Sequence, residues 1–451
     1  MRITRDLIAE GLTYDGYTRA EIIDKINSWK TLLLSRGAKR GDLIALAILE
    51  VNINHISAIF AIAELGMKLL LIDKPVSQET LHMTKMAAFG PTDFTLVCQN
   101  AMSMPEDLHY QMIDRYSKQV IREEEFVAWN DYSESEILCQ EDDHFLCAST
   151  SGTTKNSRPV YFTHKEIVAI SRRNISIFKF KPESCVLHTR NMHHASSLLT
   201  FLLPSIMISQ THHYAYMFWS PDYMLDVCQK HIIPLGIDTI LCANMFDLVK
   251  MATSLRESRK LDKKLLINVS GFTVTQSLVD MAKEFEVEFM SHYGSIDTGI
   301  PLLVNHVTAD TEFEKNCLGI QPDDFYKMEI INGLTHISCE MWDNPRTISD
   351  NLETRDNKWY YGGRKDKDPI EEFISSITED YNLISVSGHR YLIIWDDTEK
   401  HHFANVDLAD ILYLDKEKFT VDTKVNMDQL REYINVRMGN TGQEPTFTFR
   451  T

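Results

Sequence analysis

Five consecutive residues, Thr150-Ser151-Gly152-Thr153-Thr154, bring four hydroxyls and one glycine into a single short stretch. The apolar run Phe145-Leu146-Cys147-Ala148 ahead of it has the character of a buried strand, and Lys165-Glu166-Ile167-Val168-Ala169-Ile170 behind it opens a helix. A strand that delivers such a loop makes a cradle for an oxyanion, because backbone N–H groups and side-chain hydroxyls converge on one point. Arg158 adds a fixed charge whose forked donors suit phosphate or carboxylate. The stretch is not a Walker loop, since it lacks G-x-x-x-x-G-K-[ST]. A polar surface loop is the competing reading.

Four other stretches carry chemistry. His193-His194 and His212-His213 are paired imidazoles, which invite zinc. No Cys or carboxylate partner follows them at metal-ligand spacing, so core or loop histidines are expected. Tyr293-Gly294-Ser295-Ile296-Asp297 combines an aromatic ring and an acid around a glycine, and also reads as a strand-end turn capped by Asp297. Ser349-Asp350-Asn351-Leu352 is followed by Asp356-Asn357 and then Arg364. A carboxylate such as Asp350 is suited to accept both hydroxyl protons of a ribose. A hairpin with an Asp-Asn turn and exposed charges is the structural alternative.

The elements that must position these groups alternate. Ile22, Ile23, Ile26, Trp29, Leu32 and Leu33 recur at helical spacing, Gly41 to Ile48 reads as a buried strand, Asn52 to Leu65 as a second apolar helix and Met67 to Ile72 as a strand. That β-α-β order predicts a parallel sheet with helices on its faces. Gln99 to Asp143 is acidic and poorly patterned and is expected to be a surface excursion, whereas Leu198 to Ser209 reads as an apolar helix. A chain of 451 residues, 44% hydrophobic, accommodates a large α/β body and a smaller C-terminal piece. The formal charge of −18 argues against non-specific nucleic-acid binding, which needs a basic footprint. Eight cysteines are scattered without a C-x-x-C pair, as expected of free thiols in a reducing compartment. The N-terminus carries no apolar signal-like run and the apolar stretches are short for a membrane span, so a soluble, cytoplasmic protein is expected.

The TSGTT-x-x-x-R-P-V stretch resembles the phosphate loop TSGTTGxPKGV of the adenylate-forming superfamily, which holds acyl-CoA synthetases, peptide-synthetase adenylation domains and luciferase. Lys155, Ser157 and Arg158 depart from the family's Gly, Pro and Lys. Further landmarks follow in order. Asn191 to Ser197 resembles P-x-x-H-x-x-G, which implies an acyl-pocket role for His194, with His193 next. No Asp stands there to pair with a substrate ammonium, which argues against an α-amino acid. Ile240 to Met251 resembles a family strand and helix, with Met245 and Phe246 as tunnel or core residues. LLINVSGFTV resembles the segment beneath the adenine, with Ser270 and Gly271 matching. YGSID resembles Y-G-x-T-E, which implies that Tyr293 stacks on adenine beside Gly294 and Ser295, and that Asp297 holds Mg²⁺. The stretch from Ser349 to Asp366 resembles TGD-L…GR-x-D, implying Asp350 and Arg364 on the ribose and Asp366 at a hinge.

The resemblance implies a large N-terminal domain of mixed, largely parallel sheets flanked by helices over residues 1–364, and a small, shortened α+β domain over 365–451. It implies an ATP- and Mg²⁺-dependent ligase that converts a carboxylic acid into an acyl-adenylate and passes it to a thiol (CoA or a carrier protein) or to an amine. Thr150, Ser151, Gly152, Thr153, Thr154 and Arg158 would cradle the phosphates. Ser385 to Arg390 resembles the strand beyond the hinge, after an acidic insertion from Lys367 to Asn382. Val425 to Arg437 reads as a helix, and Glu444 to Phe449 resembles the strand before the loop G-K-x-x-R. The sequence ends at Thr451 before that lysine, so Lys155, Lys365 or Lys367 is expected to substitute, or a partner to supply one. The alternative is a non-catalytic relative that binds nucleotide or acyl-adenylate and regulates a partner.

Overall fold

The computed structural model describes residues 1–47, 52–71, 94–98, 117–127, 133–149, 159–188, 197–214, 235–241, 265–270, 274–299, 301–348, 350–364, 381–386, 389–395 and 401–405. Local signals start the helices. Thr18 accepts from the Glu21 backbone N–H while the Glu21 carboxylate takes the Thr18 N–H at 2.7 Å, a reciprocal cap that opens helix α1 (Arg19–Ser35). Asn52 caps α2 (Ile53–Glu64), and Thr163 with Glu166 repeats the reciprocal cap at the helix His164–Ile177.

Two short strands, β1 (Thr13–Tyr14) and β2 (Tyr17–Thr18), precede α1. Strands β3 (Leu43–Ala47), β4 (Lys68–Leu71), β5 (Phe94–Cys98), β6 (Ser117–Arg122), β7 (His144–Ser149) and β8 (Pro159–Thr163) form a six-stranded sheet in the order β6-β5-β3-β4-β7-β8. All its pairings are parallel except β7 with β8. Strands β9 (Cys185–His188), β10 (Thr211–Tyr214), β11 (Thr239–Leu241), β12 (Leu266–Ser270), β13 (Glu288–Tyr293) and β14 (Leu303–Val307) join β1 and β2 in an eight-stranded sheet, order β14-β13-β12-β11-β9-β10-β1-β2. It is parallel from β13 to β1 and antiparallel at its two edges. Burial of Trp29, Phe60, Phe145, Phe162 and Leu199 with the apolar faces of α1 and α2 makes the main core.

Smaller antiparallel sheets follow: β15 (Cys317–Gly319), β16 (Lys327–Ile331), β17 (Leu334–Ser338), β18 (Arg346–Ile348), β19 (Asp350–Arg355) and β20 (Lys358–Arg364), ordered β15-β20-β19 and β16-β17-β18. The β19–β20 turn is made by Asp356 and Asn357, both at positive φ (49° and 63°), the backbone a tight hairpin needs. The chain divides into two compact units, residues 1–362 and 363–451. In the second, β21 (Tyr381–Val386), β22 (His389–Trp395) and β23 (His401–Asn405) form an antiparallel sheet. No described helix is long and apolar enough to cross a membrane.

Three sequence expectations change. Gln99 to Asp143 is more than a surface excursion: β6 is a sheet strand, Phe126 stacks on Trp29 at 4.0 Å, and Leu138 and Cys139 donate backbone N–H to Glu64 O. The acidic residues there mask an apolar minority that packs. The stretch from Leu198 is a π-helical turn (Leu198–Leu202) leading into a short α-helix (Leu203–Ile206), because Pro204 has no N–H to return to the preceding turn. And β8 intervenes between the hydroxyl-rich loop and the helix His164–Ile177.

Candidate active site

Strand β13 carries a buried run, Phe289-Met290-Ser291-His292, and ends at half-buried Tyr293. Tyr293 O accepts the Leu302 N–H at 2.8 Å, which closes the loop between them. Within it Thr298 donates its hydroxyl to Ser295 O at 2.7 Å, and buried Tyr326 donates to Thr298 O at 2.5 Å. Gly299 lies at φ +70°, and a Cβ there would meet Ile170 Cδ1 at 2.5 Å, so the loop sits tight against the helix His164–Ile177. The Tyr293 ring packs with a cluster that contains Leu302, Leu303, Tyr326, Ile348, Trp359 and Tyr361. That packing aims its hydroxyl at the start of β19, where it donates to Asp350 Oδ2 at 2.5 Å. Such a bond to a carboxylate is short and strong.

The structure therefore brings Tyr293, Gly294, Ser295 and Asp350 together. Ile296, at the position of the Thr in Y-G-x-T-E, packs partly buried against the main core. Asp297 lies in the 3₁₀ turn Ile296–Thr298, Ser270 ends β12 and Arg364 ends β20, their side chains lying outside the described residues. Thr150, Ser151, Gly152, Thr153, Thr154, Lys155, Arg158, His193, His194, Met245, Phe246, Gly271, Lys365, Asp366 and Lys367 lie outside them altogether, as do Val425 to Arg437 and Glu444 to Phe449. The strands flanking the hydroxyl-rich loop are described: β7 and β8 pair with Ser149 opposite Pro159.

A second polar group lies at the same edge of the eight-stranded sheet. His188 Nε2 and His212 Nδ1 are 3.0 Å apart, and His212 Nε2 is 3.1 Å from Ser209 O. Both rings are fully buried, with the Tyr14 ring stacked near His212 at a centroid distance of 6.0 Å. Burial pushes His212 down to about 4 and His188 well below the ordinary range, so both are neutral near pH 7. Reading histidines as adjacent pairs missed this contact. His213 faces Asp15 at 3.9 Å instead, and period-two alternation along β9 and β10 was the available signal. Among the described residues no cluster of three or more His, Cys, Asp or Glu is placed to hold a metal.

The fold has well-populated likenesses. The Mycobacterium tuberculosis fatty acyl CoA synthetase superposes with a TM-score of 0.67 at 15% identity, covering 96% of this chain and 88% of that one. McyG A-PCP complexed with phenylalanyl-adenylate gives 0.70 at 14%, covering 99% and 90%. ATP-bound MatB from Rhodopseudomonas palustris gives 0.65 at 12%, covering 100% and 95%. A comparison with curated proteins gives no match. The family model described as AMP-binding enzyme matches residues 7–320, the greater part of the chain, including Tyr293 and the sheet edge that carries it. With that match and this architecture, the chain belongs to the AMP-binding enzyme family.

Proposed function

We propose that the protein activates a carboxylic acid with ATP, releasing pyrophosphate and forming an acyl-adenylate whose acyl group passes to a thiol, of CoA or a carrier protein, or to an amine. The observation that supports this is the Tyr293–Asp350 contact, in which Tyr293 ends β13 inside the region matched by the family and Asp350 opens β19 beyond it. Asp350 accepts the ribose hydroxyls, while its bond to the Tyr293 hydroxyl fixes the ring plane against which adenine stacks. A substrate carboxylate oxygen attacks the α-phosphorus in line, the bond to the pyrophosphate oxygen breaks, and the developing negative charge requires positive groups and donors. Arg158 and the hydroxyls of Thr150, Ser151, Thr153 and Thr154 supply these from the β7–β8 loop. His194 lines the acyl pocket, Ser270 and Gly271 underlie the adenine, and Arg364 holds the ribose, with a hinge at Asp366 between a large domain, 1–364, and a small one, 365–451.

One carboxylate, Asp297, together with phosphate oxygens is a donor set that suits Mg²⁺, which takes hard oxygens and keeps several waters. Bound there, the ion would neutralise phosphate charge. Lys155, Lys365 or Lys367 supplies a further cation beside the phosphates; full adenylation by a variant with all three changed to Met would remove that assignment.

The test is calorimetry with ATP–Mg and AMP, alongside pyrophosphate release over aryl and fatty acids. Release that Asp350→Ala abolishes supports the ligase. Nucleotide binding without turnover on any acid supports a non-catalytic binding relative instead.

A further inference from the structure

The hydrogen-bond chain through the two buried histidines has a direction. Ser209 O can only accept, so His212 Nε2 carries a proton; its neutral ring then has a bare Nδ1, and His188 Nε2–H donates to it. His188 Nδ1 is left as a bare acceptor, fully buried and without a partner among the described residues. It is not alone. Among the same residues Asn268 lacks partners on both amide atoms, and the hydroxyls of Ser197 and Thr200 lack them too, all at 0% exposure. Native structures pair roughly nine in ten buried polar groups, and an orphan costs about 1–3 kcal/mol.

These orphans share a place. His188, Leu241 and Asn268 are register partners on neighbouring parallel strands, so their side chains project from one face of the sheet, with His188 and Asn268 two strand spacings, about 9–10 Å, apart. Phe201 packs in the cluster that includes Leu241, which lays the helical segment from Leu198 over that face, and Ser197 stands one turn before Phe201. His188 and Leu241 are also the last residues of β9 and β11. The carboxyl ends of parallel strands are where open α/β sheets bind ligands, and Tyr293 ends β13 on the same edge.

We propose that this face is a polar subsite of the acid pocket, in which His188 Nδ1 accepts a hydrogen bond from a hydroxyl on the substrate's acyl portion, with Asn268 available to a second polar atom. The substrate class is therefore a hydroxylated carboxylic acid, and neither a plain fatty acid nor an amino acid. A hydroxyl fits better than an ammonium because His188 and Asn268 are neutral, and a buried cation needs a countercharge. The ligand's being an acid rests on the carboxylate-activating reading above; the subsite and its demand for a donor do not.

The test uses the full chain labelled at histidine nitrogen, with two matched pairs: para-hydroxyphenylacetate against phenylacetate, and ω-hydroxylauric against lauric acid. Binding is followed by calorimetry, and the His188 Nδ1 resonance by long-range proton–nitrogen spectra. The hydroxylated member of at least one pair is expected to bind at least about tenfold more tightly and to move that resonance. His188→Phe should abolish the preference, and His212→Phe, which frees the His188 tautomer, should weaken it. Equal affinities within both pairs, an unmoved Nδ1 signal, or a preference that survives His188→Phe would overturn the subsite. If His188→Phe does not fold, the spectra of the unmodified chain decide. A hydroxyl preference in a protein that binds no AMP removes the ligase reading and keeps the subsite; AMP binding with no hydroxyl preference does the reverse.

Discussion

Two buried polar groups in this molecule are built on opposite terms. Under α1 and α2, the Glu64 carboxylate takes Arg5 Nη2 at 2.5 Å, Arg5 Nε at 2.9 Å, the Arg5 N–H at 2.8 Å and Lys30 Nζ at 2.8 Å. Lys30 spends a second donor on Ser135 O at 2.7 Å. Burial alone would raise the Glu64 carboxyl, but the hydrogen bonds from Arg5 and Lys30 outweigh it and hold the group below its ordinary value. Beneath the helical segment from Leu198, in contrast, His188, Asn268, Ser197 and Thr200 bury polar atoms that none of the described residues meets. A group that serves only the fold is best closed on itself, because every open donor or acceptor costs stability. The open group is the one to which the proposed hydroxyl would donate.

Changing either side tests the contrast. The largest effect is expected from Glu64→Ala, which strands Lys30 and Arg5 in the core and should cost about 3–5 kcal/mol in urea unfolding. A loss below about 1 kcal/mol would mean that the network is not what fastens residues 1–8 and 133–140 to the helices.

Acid comes next. Burial depresses His212 and His164 to about 4 and His55 to about 3, all below their unfolded value of 6.5. Between those values the unfolded chain binds more protons, so stability from these rings is complete above pH 6.5 and declines as pH falls toward 4. For fully buried His212 the decline is on the order of 3 kcal/mol. Thermal melts from pH 7 to 4 should show it, and His212→Phe should flatten part of the slope.

Asn268→Leu should have the opposite sign. Replacing an orphaned carboxamide by an apolar group of similar size is expected to stabilise the ligand-free protein by about 1–2 kcal/mol. Destabilisation of that size would show Asn268 to be partnered in solution. The smallest effect is expected from Tyr293→Phe, which keeps the ring and removes only the bond to Asp350. AMP affinity should fall by about tenfold with the melting temperature nearly unchanged. An unchanged affinity would show that the bond to Asp350 does not set the ring for the nucleotide.

Much of this was legible before the fold was known, and what was legible was local. The Thr18-x-x-Glu21 and Thr163-x-x-Glu166 spacings announce helix starts because the cap closes within one turn. The apolar runs of β3, β4 and β7 announce buried strands, and Asp356-Asn357 announces its turn, since each depends on neighbours in the chain. Acid-rich composition hid β6 and the Phe126 contact, because a few apolar side chains suffice for an edge strand and one stacked ring.

The sequence by itself determined the local elements such as α1, β3, α2 and β4, and marked residues 293–297 and 350 as candidates for site chemistry. Tertiary structure alone decided which of these meet. Tyr293 reaches Asp350, Arg5 and Lys30 reach Glu64, and His188 reaches His212 across separations of 57, 59, 34 and 24 residues. Those contacts depend on strand order in the sheets and on which face each strand presents, and spacing along the chain encodes neither once segments are far apart.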